Sequence, residues 1–183
     1  MRLADERGFT LIETLVTVAI VATVVGGITT LFVSGTRAQN ELSQRFQGQN
    51  EARSALDRLR RDVVCASAAS GSSTSVTLTV PAGCVAQGSV TWCTASGGSP
   101  ARYRLFRLAG SGTCATQGRL YVDWLTTGAV FTLQPQSLAS LAKLRAHLPV
   151  QLQRMDAPYE LCDVVVLRNS SRIGATSTVA PPC

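Results

Sequence analysis

The chain has one histidine among 183 residues, an aromatic share of 5% and no proline before Pro81. Its six cysteines, Cys65, Cys84, Cys93, Cys114, Cys162 and Cys183, lack the C-x2-C spacing of structural zinc sites, the closest pair being nine residues apart. The single imidazole, His147, is accompanied by no G-x-S-x-G elbow, no phosphate-cradling glycine loop and no paired catalytic carboxylates. It reads as an exposed or satisfied structural residue. Asp156, Glu160 and Asp163 cluster in the C-terminal part, but their spacing departs from the D-x-[DN]-x-[DN]-G calcium loop, so they read as solvated loop charges. Together these absences argue against catalysis and against a resident metal or cofactor.

Charge is also scarce near the N-terminus. Across residues 9–33 Glu13 is the one charged side chain. At 1.5 Å rise per residue, a helix of that length extends about 37 Å, enough to cross a bilayer core. An acidic side chain in such a segment costs about 2.5–3.5 kcal/mol at mid-membrane and less near the interface, and it marks a functional position by default. The apolar run follows Arg7-Gly8-Phe9-Thr10-Leu11-Ile12-Glu13, whereas a secretory signal places its cleavage site after the apolar region.

This heptad resembles the precursor signal of the type IV pilin and type II secretion pseudopilin superfamily: a short polar leader, Gly, Phe, then Thr-Leu-Ile-Glu. The resemblance implies that a prepilin peptidase cuts between Gly8 and Phe9 and methylates the new Phe9 amine, leaving residues 1–8 as the leader. It also implies an assembly salt bridge in which Glu13 neutralises the Phe9 amine of a neighbouring subunit. Many pilins carry a proline about two-thirds along the apolar segment. Here Gly26-Gly27 is a candidate substitute for local helix opening, or a surface for close helix packing.

The formal net charge is +6, and Arg2 and Arg7 balance Asp5 and Glu6 within the leader. Arg2 and Arg7 precede the span and Arg37 and Arg45 follow it, so charge counting alone leaves orientation open. The resemblance and the cysteines place the C-terminal part outside the cytoplasm, because an even cysteine count in an exported domain suggests disulfides. Among the possible pairings, the short turn-rich interval suggests Cys84–Cys93, and Cys162–Cys183 would pin the tail, which leaves Cys65–Cys114.

Leu42, Phe46, Ala52, Leu56, Leu59 and Val63 follow one helical stripe, predicting that the long helix continues to residue 68. The arginines near residues 58–61 read as a solvated face, with Asp57 and Asp62 as counter-charges. About 115 residues then remain, enough for one core. Strands are expected at 75–80, 89–94, 102–108, 119–125, 129–133 and 162–168, with a further one through 143–152. Helical spacing of Leu138, Leu141, Leu144 and Leu148 competes with that last strand, but Pro149 would interrupt a helix. The expected class is α+β, a pilin-like lollipop: leader 1–8, helix 9–68 with residues 9–33 as transmembrane and assembly segment, and a disulfide-bonded antiparallel β-rich domain over 69–183.

Arg58-Leu59-Arg60-Arg61-Asp62 and Val164-Val165-Val166-Leu167-Arg168-Asn169 look like J-type pseudopilins and W-type minor pilins. The narrower resemblance implies a non-catalytic subunit of the cytoplasmic membrane that enters or primes a type IV pilus or a type II secretion pseudopilus. Its implied partners are other pilins or pseudopilins, the prepilin peptidase and an inner-membrane assembly platform. An alternative is a filament-borne DNA receptor for natural transformation, because Arg102, Tyr103, Arg104, Phe106 and Arg107 interleave charge with rings. In a strand, however, these residues divide between two faces. Trp92 and Trp124 read as core or sheet-packing residues.

Overall fold

The computed structural model describes residues 10–84, 88–98, 102–110, 112, 114, 118–138, 140–151, 158–170 and 183. Helix α1, Leu11–Cys65, is followed by strands β1 (Ala68–Gly71), β2 (Ser75–Val80), β3 (Gly88–Gly97), β4 (Arg102–Ala109), β5 (Arg119–Leu125), β6 (Phe131–Gln134), β7 (Lys143–Val150) and β8 (Tyr159–Val166). The chain divides into two units, Met1–Ser43 and Gln44–Cys183.

In the first unit the helix begins beneath Thr10, whose carbonyl accepts the Glu13 and Thr14 amides. It is long and apolar enough to cross a membrane. Its apolar side chains are exposed all round, Leu11 at 82% and Phe32 at 71% among them. The hydroxyls of Thr14, Thr17, Thr23, Thr29, Thr30, Ser34 and Thr36 each donate to a carbonyl three or four residues earlier. Every hydroxyl from Thr14 to Thr36 is thereby satisfied within the helix, which is the condition for placing these residues in hydrocarbon. The helix passes unbroken through Gly26 and Gly27.

The second unit is α+β: residues 44–65 of α1 lie on an antiparallel sheet. The strand order is β1-β2-β3-β4-β5-β7-β6, with β8 also paired to β7. Ala52, Ala55, Leu56, Leu59 and Val63 bury their side chains in one cluster with Val76, Leu78, Trp92, Leu105, Val122, Leu125, Leu144 and Leu148. On the other face of β3 and β4, Cys93, Phe106 and Leu108 form a smaller cluster. Strand β7 satisfies the strand expectation, with Leu144, Ala146 and Leu148 buried and Lys143, Arg145 and His147 less so. It pairs with β8 from Lys143 to Val150, with β6 through Ala146, and with β5 only at Leu125 opposite Val150. Strand β5 shifts register twice against β4.

Several boundaries differ from expectation. The helix stops at Cys65 rather than residue 68, because Asn169 Nδ2 donates to the Cys65 carbonyl and the Ser67 amide already pairs with Thr79. Residues 68–71 form β1 opposite β2. Strand β8 begins at Tyr159 rather than 162, in register with β7, and β6 occupies Phe131–Gln134 rather than 129–133. Of the stripe read from the sequence, Leu42 and Phe46 are exposed at 67% and 66%. Leu152 lies outside the described residues.

All six cysteines are bridged, as Cys65–Cys84, Cys93–Cys114 and Cys162–Cys183. The last matches expectation and the other two correct it. Cys84 lies in the turn after β2, whereas β3 starts at Gly88 and carries Cys93 five residues further, opposite Ser75 and Phe106. Five residues of strand span about 17 Å, beyond the reach of a bridge from that turn. Cys84 instead meets the end of α1, at a Cα–Cα distance of 6.3 Å from Cys65. Peptide mapping without reduction is expected to recover these three linkages from the oxidised protein. A linked Cys84–Cys93 peptide would contradict the fold, as would six free thiols. Removing any one bridge is expected to cost about 2–5 kcal/mol.

Candidate functional site

Glu13 stands in the first turn of α1, where the unpaired amides and the helix dipole favour a carboxylate. Leu11 and Ile12 before it, and Leu15 and Val16 after it, are all exposed. A carboxylate that stays ionised in this setting needs a cationic partner if the surface around it enters an apolar environment. Gly8 and Phe9 lie outside the described residues.

A second carboxylate is placed very differently. Asp62 is only 4% exposed and sits three residues after Leu59 and seven after Ala55, on the buried stripe of α1. Its Oδ2 accepts from Trp92 Nε1 at 3.0 Å and from Arg107 Nε at 2.7 Å, while its Oδ1 accepts from Arg107 Nη2 at 3.2 Å. Arg58 Nε lies 3.7 Å from Oδ1. Asp62 is therefore a pin between helix and sheet, not a counter-charge on a solvated face. Its place on the stripe was the available signal, and its charge masked it.

The same network accounts for the interleaved arginines. Arg107 is committed to Asp62, while Arg102 Nε and Arg104 Nε lie 3.1 and 3.3 Å from Asp123 Oδ1. The Arg102 guanidinium also covers the Trp124 ring, 3.7 Å from its centroid. Thus three arginines divide between two carboxylates rather than presenting one free cationic strip. Trp92 is fully buried and Trp124 half-buried against the core. His147 Nε2 faces Glu160 at 3.4 Å, and Asp163 faces Arg60 at 3.4 Å. Asp156 lies outside the described residues. Among the described residues no group of three or more His, Cys, Asp or Glu side chains is arranged to hold a metal ion.

Residues 3–29 match the prokaryotic N-terminal methylation motif, a segment that contains Gly8, Phe9, Glu13 and most of the apolar run. Comparison with curated proteins and with solved structures returns no match. The motif, the exposed apolar helix and the disulfide-bonded antiparallel domain support a membrane-anchored single-pass protein of the type IV pilin-like or pseudopilin class. The motif implies, in general terms, interaction with a prepilin peptidase and with other pilins.

Proposed function

We propose that this chain is a minor pilin or pseudopilin, a non-catalytic subunit that waits in the cytoplasmic membrane and then enters or primes a type IV pilus or type II secretion pseudopilus. The observation that carries the reading is the coincidence of the methylation motif with an exposed apolar helix bearing Glu13 in its first turn. In this reading the leader, residues 1–8, is cut away at Gly8, and the Phe9 amine becomes both the methylation site and the cation that Glu13 of an adjacent subunit requires. An inner-membrane platform lifts the helix from lipid into a filament. There the same apolar surface packs against other helices, so little hydrophobic burial is lost in transfer. The domain from Gln44 onward remains outside the cytoplasm, where its three bridges persist.

Replacement of Gly8 tests the processing step. Gly8→Ala adds a methyl at the cleavage site and is expected to leave an uncut precursor in the membrane, while the wild-type chain yields an N-terminus at methylated Phe9. Intact-mass spectrometry distinguishes them. A wild-type chain beginning elsewhere, or a Gly8→Ala chain still beginning at Phe9, removes the assignment.

A further inference from the structure

Between α1 and β5, within the unit that starts at Gln44, lies a cleft of 510 Å³ lined in part by Gln47, Gly48, Glu51, Tyr121, Asp123 and Trp124. That volume lies in the range of small-molecule sites, about 300–1,000 Å³. Gly48 is buried within the helix and lines the cleft. A glycine inside a helix is unfavourable unless close packing or function requires it.

Trp124 is the one non-glycine among the described residues with positive φ, at 65°. For a bulky side chain that conformation is strained, and such strain concentrates at ligand sites. It is held by surrounding groups rather than relaxed. The Trp124 amide donates to Asp123 Oδ1 at 2.8 Å, the Trp124 carbonyl accepts from the Gln151 amide at 2.9 Å, and Arg102 covers the ring. Asp123 is fixed in turn by Arg102 and Arg104. Gln47 Nε2 donates to Glu51 Oε1 at 3.0 Å, orienting both groups at the helix side of the cleft.

The lining therefore combines two aromatic rings with amide and carboxylate groups. Its two carboxylates, Glu51 and Asp123, are balanced by the two guanidinium groups that hold Asp123, which disfavours a strongly charged ligand. A neutral sugar has the matching chemistry: its C–H face packs on an aromatic ring, and its hydroxyls exchange hydrogen bonds with planar amides and carboxylates. We infer that this cleft binds a neutral pyranose ring, with the surface of Trp124 that lines the cleft, away from the Arg102 guanidinium, as the platform and Gln47 and Glu51 as polar partners. The inference stands apart from filament assembly. Two sources carry the same chemistry, free oligosaccharides and the glycan chains of a surface polymer.

The test uses the full chain in a polyoxyethylene detergent, since alkyl glycosides would present the sugar itself. Maltose, cellobiose, N,N′-diacetylchitobiose and, separately, soluble dextran are titrated while tryptophan emission is followed. Only Trp92 and Trp124 contribute, and Trp92 is fully buried. A saturable change in the millimolar range is expected, weakened tenfold or more by Gln47→Ala and unchanged by Arg60→Gln. Gln47 is an exposed helix residue, so its replacement leaves the fold intact. Saturation by disaccharides supports a free-sugar source, and saturation by dextran alone supports a surface glycan. No saturable change with any of these sugars, or equal affinity in Gln47→Ala, overturns the proposal.

Discussion

Glu13→Ala is expected to be cut normally, to insert normally and then to be absent from filaments. Removal of the carboxylate makes the membrane segment more apolar, so insertion does not suffer. On the proposed assembly reading the loss comes at assembly, where the charged Phe9 amine of a neighbour would enter an apolar interior without its partner. Breaking a buried ion pair from one side costs about 3–5 kcal/mol, equivalent to a hundredfold or greater loss of incorporation at equilibrium. Glu13→Gln keeps the size and a hydrogen-bonding group but not the charge, and should fail alike. The measurement is the amount of processed subunit in sheared filaments, together with its crosslinking to partner pilins. Tolerance of Glu13→Ala by a subunit confined to the filament tip fits a position with no neighbour beyond it, whereas wild-type incorporation along the shaft contradicts the electrostatic account.

The second large effect is on folding. Asp62→Ala strips the partner from Arg107, whose side chain is only 15% exposed, and orphans the indole N–H of fully buried Trp92. A loss of about 3–5 kcal/mol is expected, seen as an earlier midpoint in denaturant with little change in slope. Asp62→Asn should lose less, since it retains an acceptor for Trp92. The double replacement Asp62→Leu with Arg107→Met removes both charges and should recover part of the loss, because apolar groups of similar volume replace a desolvated pair. Asp57→Ala provides the contrast: Asp57 is exposed, and its loss should fall within about 0.5 kcal/mol. Equal midpoints for Asp57→Ala and Asp62→Ala would refute the pinning role.

The contrast between these two aspartates shows what the sequence could and could not convey. Local patterns were readable where the residue itself carries the cause. Alternation in β7 and the β-branched run of β2 announce strands, and the segment around Gly8, Phe9 and Glu13 announces the methylation motif and an apolar helix long enough to cross a membrane. Strand β1, with the sequence Ala-Ala-Ser-Gly, has no intrinsic preference for extension. It becomes a strand because the edge of β2 offers it hydrogen bonds, a partner distant from its own residues. The apolar stripe likewise reported what a helix could bury, not where burial ends, and so Leu42 and Phe46 were counted with Ala52 and Leu56. The cleft beside β5 was least visible of all. It is lined by residues from α1 and β5 that lie far apart in the chain, and the positive φ of Trp124 within it leaves no trace in composition or periodicity.

The three disulfides enclose separations of 19, 21 and 21 residues, and each joins a cysteine to the next cysteine in the chain. The loops neither nest nor cross. For a chain emerging N-terminus first from a narrow channel, every thiol therefore meets its correct mate before a third thiol arrives. Were each bridge to close before the next cysteine emerged, oxidation in order of appearance would give the native linkages directly, with no mistaken bonds to undo. A cysteine introduced between residues 65 and 84 would disturb that timing even if its side chain pointed harmlessly into water.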